Sequence, residues 1–165
     1  MPATRNNRKE QPLELGYGHV MPQAPEVEKA VLGALMIDKD AYMEVCDKLK
    51  PESFYEPRNQ MVYEAIVKLS VEESPVDVLT VTDKLGKMGK LEEVGGPGYI
   101  ADLSSRVATS ANIEYHANIV AEKYLARQMI QYVSVVGKKI YDESLISRML
   151  CKKQRVLFSN YRRRT

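Results

Sequence analysis

The sequence has no tryptophan, two phenylalanines and two cysteines among its 165 residues. Cys46 and Cys151 alone build no disulfide framework, so a disulfide-stapled secreted scaffold is excluded and the reducing cytoplasm is the expected compartment. Cys46 reads as a small apolar filler on a helix. Long apolar runs are missing too. None reaches the ~18 residues of a membrane-spanning helix, so no membrane is expected as a partner. The stretch MPATRNNRKEQPLELGYGH has no apolar core of signal-peptide type. Convincing period-two alternation is also lacking, and the fold class expected is all-α.

What is present is helical. Apolar residues make up 44% of the chain, enough for a real core. The net charge of +2 conceals an asymmetry. Arg148, Lys152, Lys153, Arg155, Arg162, Arg163 and Arg164 lie in residues 145–165, which hold no acid. The rest of the chain carries 17 basic against 22 acidic side chains and does not read as a phosphate-binding surface.

Along the chain, residues 1–20 are polar and aperiodic and read as a mobile arm. Pro25 suits a first helical turn, Glu26 and Glu28 suit the helix dipole there, and Val27, Ala30, Val31, Ala34 and Leu35 share one face of a helix over Pro25–Ile37. Asp40 is the expected cap of a second helix, with Tyr42, Val45, Cys46 and Leu49 inward and Pro51 as its stop. Pro57 opens a third helix that buries Met61, Val62, Ala65, Ile66 and Leu69. Asp77 caps a fourth carrying Val78, Val81 and Leu85, which Gly89 stops. Gly95-Gly96-Pro97-Gly98 breaks the chain before a short helix over Tyr99–Ser105. Ser110 is the expected cap of a helix reaching about Asp142. Ile113, Ala117, Val120 and Tyr124 form one stripe on it. Leu125, Met129, Tyr132, Val136 and Ile140 form a second, rotated stripe, the candidate interface. About thirty residues of helix span about 45 Å, more than a globule of this size is wide. The second stripe is therefore expected to project and to need a cover.

Catalytic signals are weak. The double glycine lacks GxxxxGK spacing and follows no strand, so it reads as a turn and not a phosphate loop. His116 has no second ligand at metal spacing and reads as a surface or half-buried helical residue; His19 lies in the arm. Asp38, Asp40 and Asp47 read as helix-end and surface carboxylates. The ten tyrosines read as core and interface rather than as base-stacking platforms. No catalytic, cofactor-binding or metal-binding residue is assigned.

Four segments, in order, resemble the N-terminal domain of the DnaB family, the hexameric replicative DNA helicases of bacteria. They are PQAPEVEKAVLGALMID (Pro22–Asp38), LKPESFYEPRNQMVYEAIVKL (Leu49–Leu69), SPVDVLTVTDKLGKMGKLEEVGGPGYIADL (Ser74–Leu103) and TSANIEYHANIVAEKYLARQMI (Thr109–Ile130). The resemblance covers about residues 20–144. It implies a compact helical globule over 21–108 and a long helix over 109–144, the first arm of a helical hairpin. It further implies self-association in a hexameric collar, with primase and a helicase loader as partners. ATP, Mg and motor activity belong to the family's C-terminal domain, which is expected to be absent here.

The tail, LISRMLCKKQRVLFSNYRRRT, departs from the family. Permitted codons for Arg148–Arg155, read from the third base of each, give Asp-Ala-Leu-Gln-Glu-Ala-Glu, an acidic amphipathic helix of the type the family carries next. The chain is therefore expected to be a fragment with a frameshifted tail, binding DNA only weakly and with impaired collar assembly. The alternative is a free-standing helical regulator that binds nucleic acid through the Arg-rich tail.

Overall fold

Proline marks where this chain enters helix. Pro25, Pro57 and Pro97 each occupy the first turn of an α-helix, and Pro51 opens a 3-10 turn. The missing N–H is one that no helix interior would have used. The computed structural model describes residues 20–141, apart from residues 39 and 108 and the side chains of 140 and 141. The expected arm (save Val20), the basic tail and the frameshift reading lie outside the described residues. Seven α-helices run through the described residues, with no strand among them: α1 Pro25–Ile37, α2 Ala41–Val45, α3 Pro57–Val71, α4 Val78–Lys87, α5 Leu91–Val94, α6 Gly96–Ser105 and α7 Ile113–Tyr141. The expected all-α class holds. None of these helices is long and apolar enough to cross a membrane.

Residues 20–127 form one compact unit, and Gln128–Tyr141 belong to a second. In the first unit α1 is more than an amphipathic surface helix. Leu32 and Met36 are buried together with Val31, Ala34 and Leu35, because α1 packs against α2, α3 and α6. Val27 and Ala30, expected inward, are only half-buried. The α1–α6 crossing is backbone-close at Gly33. A Cβ there would lie 2.2 Å from the Leu103 carbonyl oxygen and 2.8 Å from Val107 Cγ2. Phe54 and Tyr63 pack ring to ring beneath this layer at 4.9 Å.

Local signals behave unevenly. Asp77 caps α4 as expected: its carboxylate accepts from Leu79 N at 2.8 Å and Thr80 N at 2.9 Å, and Thr80 Oγ1 accepts from Asp77 N. Asp40 stands before α2 but makes no side-chain cap: its own backbone is already helical, whereas a capping residue is typically extended. The Asp38 carboxylate accepts the Asp40 N–H instead, at 3.0 Å. Ser110 does not cap α7 either. Its hydroxyl donates to Asp38 at 2.5 Å, and α7 begins three residues later at Ile113. The glycine-rich stretch does more than break the chain. Gly95, at φ +114°, ends the one-turn helix α5, and α6 starts at Gly96 rather than at Tyr99.

Candidate functional site

No group of three or more His, Cys, Asp or Glu side chains is arranged to hold a metal ion among the described residues. His116 is half-buried on α7, its ring 6.2 Å from Tyr115. Asp38 is held below its ordinary pKa by the Ser110 hydroxyl and the Asp40 N–H, which makes it a structural acceptor at a helix end. Cys46 is half-buried, and its thiol donates to Met43 O at 3.6 Å. An open groove of about 420 Å³ lies along α4, bordered by Leu69, Pro75, Leu79, Lys84 and Lys87. Lys84 and Lys87 pair with Glu72 and Asp83 there, so the groove carries no free charge poised for chemistry.

The polar chemistry of this unit is buried. Glu28 is 1% exposed and accepts from Tyr55 N at 2.6 Å, Glu56 N at 3.4 Å and Asn59 Nδ2 at 2.9 Å. Asn59 Oδ1 accepts from the Tyr99 hydroxyl at 2.6 Å. Burial lifts the Tyr99 phenol to about 12, so it stays a hydrogen-bond donor at neutral pH. Arg58 lies over the Tyr99 ring at 4.4 Å. On α7 the Arg127 guanidinium is buried and donates to Pro22 O at 2.9 Å and Ser53 O at 2.7 Å. It stacks near the Tyr55 and Tyr124 rings at 5.6 and 5.7 Å. Burial holds its pKa below the ordinary value, and the Glu28 charge offsets only part of that. This network ties α1, the 51–55 turn, α3, α6 and α7 together; it can hold a shape but has no open position for a substrate. Reading Glu28 as a first-turn dipole charge misses this role.

The surface chemistry lies on α7. Leu125, on the first unit, is 56% exposed. In Gln128–Tyr141, Met129 is 60% and Tyr132 71% exposed, Val136 is half-buried, and the Ile140 side chain lies outside the described residues. Val133 and Val135 are exposed as well, though the sequence stripe omits them. Val133 follows Met129 by four residues, a helical step that stripe-counting from Tyr132 passes over. The apolar face is therefore broader than the sequence stripe, and large apolar side chains left in water mark contact surfaces.

The family model of the DnaB-like helicase N-terminal domain matches residues 20–122. The chain belongs to the DnaB-like helicase N-terminal domain family. Its similarity to the replicative DNA helicase DnaB of Rhodothermus marinus is 46% identity over 125 residues, covering 76% of this chain and 13% of that helicase. Of five curated relatives that it matches, the chain spans between 13% and 28% of their length. The crystal structure of the N-terminal domain of DnaB helicase from Mycobacterium tuberculosis shares the fold with a TM-score of 0.72 and 38% identity. That match covers 78% of this chain and 94% of the other. The N-terminal domain of DnaB helicase from Helicobacter pylori, solved with attention to its interactions with primase, has the same fold at 21% identity and a TM-score of 0.61. It covers 71% of this chain and 91% of that one. The match of this DnaB-like chain to the helicases is thus confined to their N-terminal domain.

Proposed function

We propose that this domain acts in DNA replication by assembly and docking: it joins helicase subunits into a collar and offers that collar to primase. The observation that carries the reading is the exposed apolar face of α7 in a chain of this family, with Met129, Tyr132 and Val133 each more than half exposed. Primase as the partner is supported by the related N-terminal domain whose interactions with primase have been studied. A helicase loader is a second partner of the same collar. ATP and Mg are used by the motor domain of the family, and this domain contributes no catalytic residue to that chemistry.

The candidate interface is Leu125, Met129, Tyr132, Val136 and Ile140. The self-association left to this chain, whose tail is expected to impair the collar, is expected to be lost in light scattering with Met129→Glu and Tyr132→Glu while circular dichroism stays helical. Retention of the same assemblies by that variant overturns the reading. Weak DNA binding through the seven tail cations is a subsidiary activity. It should fall steeply with salt, because it arises from counterion release, and disappear when residues 145–165 are removed.

A further inference from the structure

Arg127 is the one buried residue of α7 that carries a charge among those described. It continues the helix stripe Ile113, Ala117, Val120 and Tyr124, whose first three members are 0–1% exposed. A leucine in that register would pack as well, and would avoid burying a cation. Among the described residues no carboxylate forms an ion pair with the guanidinium, although the buried Glu28 charge acts on it. It donates to two main-chain carbonyls, Pro22 O and Ser53 O, which are far apart in sequence from α7 and from each other. Only a planar, multi-donor head can reach both at 2.9 and 2.7 Å while lying against two tyrosine rings. The site reads backbone position, which is what a lock does and a packing residue does not.

We propose that Arg127 is a positioning residue that locks the globule-bound stretch of α7 to the segment before α1 and to the Pro51–Ser53 turn, and that assembly through α7 depends on this lock. The second clause rests on the function proposed above; the first does not. An apolar replacement would keep the stripe filled yet leave two carbonyls without donors. The two segments would then open to find water, while α3 and the core beneath stay closed.

The test uses the full chain with Arg127→Met and Arg127→Lys, followed by amide hydrogen exchange and light scattering. In Arg127→Met, exchange should rise at least about tenfold in peptides covering residues 51–55 and 120–127, whose amides are hydrogen-bonded, the factor that about 1.4 kcal/mol represents. Residues 62–69 of α3 should stay unchanged, and the midpoint concentration for assembly should rise by a similar factor. Arg127→Lys should recover part of both effects, since an ammonium can serve one carbonyl but not the fork. Unchanged exchange in both peptides, or a uniform rise that includes residues 62–69, overturns the lock. If Arg127→Met does not fold, Arg127→Lys decides by the same peptides. Local opening with unaltered assembly overturns the second clause alone. A wild-type chain that never assembles overturns the function proposed above and with it that second clause, while exchange still decides the lock.

Discussion

Glu28 and Gly33 lie on the same helix and fail in opposite ways when changed. Glu28→Ala removes the acceptor for Tyr55 N, Glu56 N and Asn59 Nδ2. The Asn59 donor is buried and the two backbone donors are half-buried; removing the buried carboxylate that unites them is expected to cost about 3–5 kcal/mol in urea unfolding, with Glu28→Gln intermediate because its amide keeps one oxygen. A loss below about 1 kcal/mol would mean water or a neighbour replaces the carboxylate readily. Gly33→Ala adds a methyl where the Leu103 carbonyl already stands. The helices must part, at about 1–3 kcal/mol. Gly86, in α4, has nothing within 4 Å of an added Cβ. Gly86→Ala is therefore expected to stabilise by up to about 1 kcal/mol through helix propensity, in the same assay. If both substitutions destabilise alike, close approach is not what selects glycine at residue 33.

At the scale of elements, caps and ion pairs give smaller, separable effects. Asp77→Ala should cost about 1 kcal/mol, the usual worth of a helix cap, and fray α4 without disturbing α3. Glu64 on α3 pairs with Lys90 and Lys68, and these bonds hold its carboxyl below the ordinary value of 4.5. A carboxyl lowered on folding contributes stability fully above its unfolded value and loses it as pH falls through the folded one. Thermal melts of the wild type should therefore lose stability below about pH 4.5, and Glu64→Gln should flatten that acid limb while lowering Tm modestly near neutrality. Equal acid limbs in the two proteins would assign the loss to other carboxylates. The elements themselves were largely legible: proline starts, the Asp77 cap and the apolar period gave α1, α3 and α4 closely. What stayed hidden was which polar residues go inside. Glu28 is in register with Val31, Leu32 and Leu35, Asn59 with Val62, Tyr63 and Ile66, and Arg127 with Ile113, Ala117 and Val120. A polar residue in phase with a buried stripe signals a buried partner, but the partner lies elsewhere in the chain and spacing alone cannot name it. Asp40 and Ser110 were misleading for a related reason. Capping depends on the backbone angle at the cap, which residue type does not determine.

For the whole molecule, the question is where the independently folding unit ends. The resemblance to the DnaB family implies a boundary near residue 108, which assigns all of α7 to a separate arm. Burial argues for a later end. Ile113, Ala117 and Val120 are each no more than 1% exposed, and Arg127 closes the same seam on Pro22 and Ser53. Burying Ile113 and Val120 contributes about 1.5–3 kcal/mol each, so the first four turns of α7 supply about 3–6 kcal/mol before the Arg127 bonds are counted. That is comparable to the net stability of a domain this size, about 5–15 kcal/mol. We expect a chain of residues 20–131 to unfold cooperatively in urea, and one of residues 20–108 to be largely unfolded or molten at 25 °C. The exposed face beyond Arg127 is expected to affect association and not this transition. Met129→Glu with Tyr132→Glu in the full chain should leave the urea midpoint of the globule within experimental error while altering its size in solution. Cooperative, wild-type-like unfolding of residues 20–108 would show that α7 rides on a finished globule, and that its buried stripe is a docking contact rather than part of the core.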